Sequence, residues 1–472
     1  MTTLENQGGR GPLFSRALVG REVRETCWLA MPIVFSQLGQ VALGFTDTVM
    51  VGRLGPEALA AMAIGGGFYL VFYIFGIGVL HGVTALASQA YGARDPRGVR
   101  RFIRQGFWIS VVLALPIMVL LSQSERLFVW AGQAPQTAHA AAIYVDAVKW
   151  SILPGLFYTS LRAFVGAIGR PQAMLYTAIF GVTANAILDY ALVFGHFGAP
   201  AMGAYGAAVA TIFVNILMFA ILAVISTTWA PYRRYRVMAR LWRPDWPKFV
   251  EAMRIGLPSG ISVILEVAFF IGSVFLMARI GTVETAAHHI AIQTAAVTFM
   301  IPLGLSQVAT IRVGHAYGRG DMHEVGIAGW VALALGVAFM AAMSVLFWTL
   351  PEAIVAIYVD AGDPANRPTI EFAVSFLAVA ALFQIFDGAQ IIGLGSLRGL
   401  SDTKVPMYLS ALGYWVIGFS TCLLFAFTLD YGAIGIWIGL LVGLGVVAFM
   451  MLNRFYRLAH PPRARSVMTS PL

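Results

Sequence analysis

Gly44-Phe45-Thr46-Asp47-Thr48-Val49-Met50-Val51-Gly52 closes an apolar run that begins near residue 26, and it places one carboxylate inside that run. Such a run is long enough to cross a bilayer as a helix, which takes roughly 20 mostly apolar residues. An ionisable side chain at that depth is costly. Residues of this kind face a bundle interior or a water-filled cavity and serve ion paths and proton relays. Asp47 is therefore read as a functional residue on a membrane-spanning helix.

The remainder of the chain repeats the pattern. Of its 472 residues, 59% are hydrophobic and 11% are charged, well below the ~25% charged share of soluble domains. Apolar segments follow at 60–88, 104–122, 141–166, 172–195, 204–228, 255–279, 286–311, 325–350, 370–397, 405–429 and 434–456, making twelve spans with 26–50. The longest polar connection, 229–254, divides the chain nearly in half. The expected fold is an all-α polytopic membrane protein with two six-helix lobes, 26–228 and 255–456. These are flanked by tails at 1–25 and 457–472. The first 25 residues precede an apolar run too long for a signal peptide, so they are read as an uncleaved tail.

A net charge of +9 would suit a nucleic-acid binder if it were clustered on a soluble domain. Instead, all but Arg53, Arg126, Lys149, Arg279 and Arg367 of the 31 Lys and Arg fall on one side of a twelve-span topology. The Lys- and Arg-rich side is the cytoplasmic one. Both termini are expected there, and nucleic acid is not expected as a partner. Cys27 and Cys422 lie in separate apolar segments and offer no disulfide or zinc framework. No phosphate-binding G-x-x-x-x-G-K-[ST], H-E-x-x-H or serine-elbow pattern occurs, so neither an enzyme nor a cofactor is expected.

The two halves are related by a shift of 226 positions without a gap. Pro32 meets Pro258, Arg53 meets Arg279, Gly78 meets Gly304, Ala90-Tyr91-Gly92 meets Ala316-Tyr317-Gly318, and Asp95 meets Asp321. An even number of spans per half makes this a parallel repeat about an axis along the membrane normal, a design that binds cargo between its halves. The ionisable residues do not follow the repeat. Asp47 maps to Ser273, and Glu266 maps to Gln40.

Asp47, Asp189, Glu266 and Asp387 are the carboxylates well inside the spans. Asn185 precedes Asp189 by one helical turn and shares its face, and Thr211 offers another oxygen on the next span. Withdrawn from water, a carboxyl group either keeps a proton or needs a cation to stay ionised. Either event can be coupled to movement of a cationic cargo. Phe68, Tyr69 and Phe72, with Phe299, Met300 and Gln384 in the second half, are candidates for lining a cavity for aromatic cargo. His81 is read as a packing residue, His288-His289 as solvated at the interface, and Asp146 as a structural partner of Lys149.

Several stretches together resemble the multidrug and toxic compound extrusion (MATE) family, most closely its NorM-like branch. They are Gly44 to Met50, Glu266-Val267, Ala286-Ala287-His288 leading to Phe299-Met300-Ile301-Pro302, Ile311 to His315, and Asp387 leading to Leu397-Arg398-Gly399. The resemblance implies a monomeric antiporter of the bacterial inner membrane that exports cationic, aromatic, amphipathic compounds against Na⁺ or H⁺. It assigns Glu266 and Asp387 to a second-lobe cation site, and Asp47, Asn185, Asp189 and Thr211 to a first-lobe site. Apart from a possible Na⁺, no metal is implied. The chain departs from close NorM relatives at Phe383, where a tyrosine is found, and at Ala207, where one sodium-binding relative has cysteine. Both changes weaken the second-lobe site, whereas Asp189 strengthens the first. The alternative reading is a lipid-linked precursor flippase of the wider superfamily, which calls for a basic cavity.

Overall fold

The computed structural model describes residues 16–360 and 362–460. The outer parts of the two expected tails, 1–15 and 461–472, lie outside the described residues. Among those described there is no strand. Twelve helices are long and apolar enough to cross a membrane: α1 (Ala17–Gly52), α2 (Pro56–Gly92), α3 (Pro96–Leu121), α4 (Pro135–Ala167), α5 (Gln172–Phe194), α6 (Gly203–Thr228), α7 (Trp246–Ile280), α8 (Thr282–Gly318), α9 (Met322–Thr349), α10 (Pro364–Gly399), α11 (Lys404–Thr428) and α12 (Gly432–Ala459).

Several helices run past the spans read from hydropathy, and the largest extensions are on the basic side. α1, α3 and α7 start eight or nine residues early, and α2 and α8 end late. These turns are polar, so hydropathy missed them, but they carry their own helix signals. On the basic side, side-chain carboxylates cap three starts. Asp95 accepts from the Arg97 backbone N–H at 3.0 Å, Asp245 from Lys248 at 3.5 Å, and Asp321 from Glu324 at 3.0 Å. Such caps satisfy backbone donors that have no partner within the helix. The connection expected at 229–254 therefore shrinks to 229–245, with one helical turn at Ala230–Arg233.

The repeat is visible in the geometry of equivalent turns. Asp95 donates its backbone N–H to Ala90 O at 2.9 Å, and its mate Asp321 does the same to Ala316 O at 3.1 Å. The residues just before them, Arg94 and Gly320, both have left-handed φ, +56° and +76°. Contacts between the lobes obey the same symmetry. A side chain at Gly92 would run into the backbone of His315, and one at its mate Gly318 would run into the Gln89 carbonyl. Ser88 and Gly314 are themselves repeat mates, and a Cβ on Gly314 would lie 2.9 Å from the Ser88 Cβ. The pseudo-two-fold axis thus passes between α2 and α8 at this level.

Around that axis α2 packs on α7 and α8, α1 on α8 and α9, and α3 on α7. Polar links then tie the lobes on the basic side. The Arg312 guanidinium of α8 donates to both carboxylate oxygens of Glu22 on α1, at 2.8 and 2.5 Å, and its Nη1 lies 2.6 Å from Glu25. Bidentate pairs of this kind are directional and strong. Gln89 Nε2 donates to Gly399 O and Ser401 Oγ, both at 2.8 Å, and His315 Nε2 donates to Ala167 O at 2.7 Å. Arg101 Nε reaches Asp245 Oδ2 at 2.5 Å, and that guanidinium holds the Asp245 carboxyl below its ordinary range. The seam is closed at its basic end.

Overpacking a tight contact costs about 1–3 kcal/mol. Gly318→Ala should therefore lower the thermal midpoint of the purified protein clearly more than Gly20→Ala, whose Cβ meets nothing within 4 Å. Equal midpoints would show that the α2–α8 crossing yields easily.

Candidate cation sites

The first-lobe residues come together from three helices. Asp47 sits on α1, Asn185 and Asp189 on α5, and Thr211 on α6. Asn185 Nδ2 donates to Asp47 Oδ1 at 3.0 Å, and Thr211 Oγ1 lies 3.3 Å from Asp47 Oδ2 while also bonding the Ala207 carbonyl at 3.0 Å. Asp189 is fully buried, and among the described residues neither of its carboxylate oxygens has a hydrogen-bond donor. It lies in the field of Asp47. Two carboxylates are acceptors only, so nothing can pass between them except a proton or a cation. Buried charge of one sign calls for such a partner.

Hydroxyls from α2 and α4 border this pair. Tyr144 feels the charge of both acids, and Tyr69 that of Asp47. Tyr144 lies on the first apolar turns of α4, and nothing in its sequence neighbourhood signals the fields of Asp47 and Asp189.

The second-lobe acids also meet. Glu266 of α7 and Asp387 of α10 are both buried, and Gln390, one turn beyond Asp387, bridges them. Its Nε2 lies 2.8 Å from Glu266 Oε1 and 3.5 Å from Asp387 Oδ1. This site differs from the first in having an internal cation. Arg398, 3% exposed, lies in the field of Glu266, with Nε and Nη2 unpaired. The hydroxyl of Tyr414 on α11 is buried without a partner in the field of both acids. Tyr414 lies where α11 is wound as a π-helix, over Ala411–Gly418. Such wide turns recur at functional sites. Phe383 packs its ring against Phe270 and Trp437.

The cavity candidates do not form one wall. Tyr69 is buried, with its hydroxyl 2.7 Å from Ser151 Oγ, and Gln384 is buried between Thr298 and Ser344. Both turn into the cores of their lobes. Phe68 packs edge-on against Phe72 and against Phe128 of the short helix Ser124–Trp130, with centroids 5.2 and 5.3 Å apart. Phe299 and Met300 are half-buried on α8 in the other lobe.

The histidine expectation at the start of α8 needs correcting. His289 is exposed, but His288 is fully buried, 3.3 Å from Ser273 Oγ and edge-on to Trp437. Ser273 is the repeat mate of Asp47, so the second lobe fills that place with a serine–histidine pair. Asp146 lies 2.6 Å from Lys149 Nζ at an exposed position. Among the described residues no three His, Cys, Asp or Glu side chains cluster as a metal cage.

A family model described as MatE matches the chain twice, over residues 32–191 and 258–424. The matches start at Pro32 and Pro258, which the internal repeat superposes. A protein of Brucella suis biovar 1 (strain 1330), named probable multidrug resistance protein NorM, is 43% identical over 457 residues, covering 96% of this chain and 97% of the relative. A multidrug resistance protein NorM of Burkholderia vietnamiensis is 39% identical over 440 residues, covering 93% and 94%. Among solved structures, a crystal structure of a eukaryotic MATE transporter has a TM-score of 0.85 at 20% identity, covering 94% of this chain and 98% of that one. An outward-facing multidrug resistance MATE family transporter has a TM-score of 0.83 at 18% identity, covering 94% and 98%. At these identities the structural likeness is one of fold.

Asp189→Asn supplies a donor between the two first-lobe acids and removes one of the two charges. Leaving a buried polar group unsatisfied costs about 1–3 kcal/mol. The variant is therefore expected to melt higher than wild type at pH 8 without sodium. An unchanged midpoint would mean that Asp189 already has a partner.

Proposed function

This chain belongs to the MatE family, and from that premise we propose that it is a cation-coupled antiporter that exports cationic, amphipathic drugs by alternating access. A multi-pass membrane protein of this family acts as a multidrug efflux transporter on small molecules and is not an enzyme. The finer reading concerns its coupling. It rests on the buried Asp47 and Asp189, two acceptors in each other's field, which call for a proton or Na⁺ between them. Asn185 and Thr211 complete the oxygen set around Asp47.

The second-lobe group of Glu266, Asp387 and Gln390 is assigned an accessory role, because Arg398 already supplies a positive charge there. With the basic face cytoplasmic, closure at that end corresponds to an outward-facing state in the bacterial inner membrane. Entry of the cation from outside would neutralise the first-lobe pair, and drug release would accompany it. The protein is expected to work as a monomer, since each lobe carries its own acids.

Two measurements test this. Export of ethidium from cells should collapse in Asp47→Asn, while Asp146→Asn exports normally. In proteoliposomes, a pH gradient and a Na⁺ gradient imposed separately identify the ion. Full export under a pH gradient without sodium excludes obligatory sodium coupling. Normal export by Asp47→Asn would sink the coupling role of the first-lobe pair.

A further inference from the structure

The basic face carries a groove of ≈ 1000 Å³ that spans the seam between the lobes. Arg24 and Trp28 of α1 and Arg170 of the α4–α5 turn line it from the first lobe, and Arg312 and Arg319 of α8 from the second. Two of these cations are already matched. Arg312 is held by Glu22 and Glu25, and Arg319 Nη2 lies 2.6 Å from Glu324. Arg24 and Arg170 are exposed, and neither has a carboxylate within ion-pair distance among the described residues. A scatter of basic residues along a cytoplasmic face needs no ligand to explain it. Here, however, two unmatched guanidiniums share one concave site.

The site is also built. Gly169 takes a left-handed φ of +71°, and the Arg170 N–H donates to Val165 O at 3.1 Å, which turns Arg170 into the groove. The same turn is pinned from two other directions. His315 bonds Ala167 O from the second lobe, and the buried Tyr232 hydroxyl donates to Arg170 O at 2.9 Å. Beside the cations, the groove has an apolar wall from α1. Trp28 and Met31, 66% and 62% exposed, stand on a helix that spans the membrane. Tryptophan is favoured at the level of lipid headgroups, and basic pockets between helices on this side suit anionic headgroups.

We propose that this groove binds the phosphodiester headgroup of an anionic phospholipid through Arg24 and Arg170, with acyl chains along Trp28 and Met31. The ligand chemistry is an anionic phosphate joined to an apolar tail. Because the groove draws on both lobes, it exists in this form only while the basic end of the seam is closed. A ligand that binds one state alone shifts the population towards it. The bound lipid therefore favours the closed arrangement.

The test is thermal melting of the full-length protein in mixed micelles, titrated with phosphatidylglycerol, phosphatidylcholine or inorganic phosphate. Phosphatidylglycerol should raise the midpoint, and phosphatidylcholine should not. Each surface guanidinium contributes about 1 kcal/mol to anionic-lipid binding, so Arg24→Gln/Arg170→Gln should weaken the phosphatidylglycerol response roughly 30-fold in concentration. Both side chains are exposed, and neither has an ion-pair partner among the described residues, so the variant should fold. Arg24→Lys/Arg170→Lys should keep most of the response. An equal response in wild type and the Gln variant overturns the groove as the site. Stabilisation by inorganic phosphate alone, with none from phosphatidylglycerol, overturns the lipid as its occupant. The readout is binding, so it stands apart from the cargo and coupling ion.

Discussion

The close crossing of α2 and α8 on the pseudo-two-fold axis is the contact on which the rest depends. Gly92 and Gly318 are repeat mates, and each leaves room only for the other lobe's backbone. Without a hydrophobic driving force between helices in lipid, small residues that let backbones approach are the main source of packing energy. Once the two helices meet here, Arg312 comes within reach of Glu22 and Glu25, and His315 within reach of the α4 carboxy-terminal turn. A buried guanidinium is tolerable because all of these acceptors converge on it. Closure of the basic end is thus a packing event sealed by charge.

The lobes share that scaffold and diverge in their ionisable groups. The first lobe holds two facing carboxylates with an amide and a hydroxyl, and no buried cation is seen among their hydrogen-bond partners. The second lobe holds Glu266, Asp387 and Gln390 in the field of Arg398. On the coupling proposed here, an acid pair lacking an internal counter-charge takes one from outside, whereas a pair beside a guanidinium has part of its charge offset already. At the place equivalent to Asp47, Ser273 lies 3.3 Å from His288, with no carboxylate in that contact. One fold thus carries two unequal sites.

Much of this was legible in the linear chain. The twelve spans, the parallel repeat and the four intramembrane acids all follow from apolar length, spacing and the rarity of charge. The grouping of Asp47 with Asn185, Asp189 and Thr211 was reachable because the helix period puts Asn185 and Asp189 on one face and the family resemblance supplies the rest. Other features were hidden. Polar first turns concealed the true starts of α1, α3 and α7. His288 lies near a predicted span end, yet Trp437 from another helix covers it. Tyr69 stands in an aromatic-rich stretch and Gln384 on an apolar helix, and the sequence cannot show which neighbours satisfy their polar groups.

The sequence by itself determined the architecture and the identity of the costly residues, since a membrane allows few backbone solutions and few buried charges. It also determined the repeat, because equivalent prolines, glycines and capping aspartates recur at a fixed offset. Only the tertiary structure decided which end of the seam is closed, because closure depends on contacts between residues hundreds of positions apart. It alone brought Arg398 and Tyr414 to the second acid pair, and left Arg24 and Arg170 in one groove with no carboxylate partner among the described residues. Those facts depend on how helices rotate and approach one another, which hydropathy and spacing along a single chain do not record.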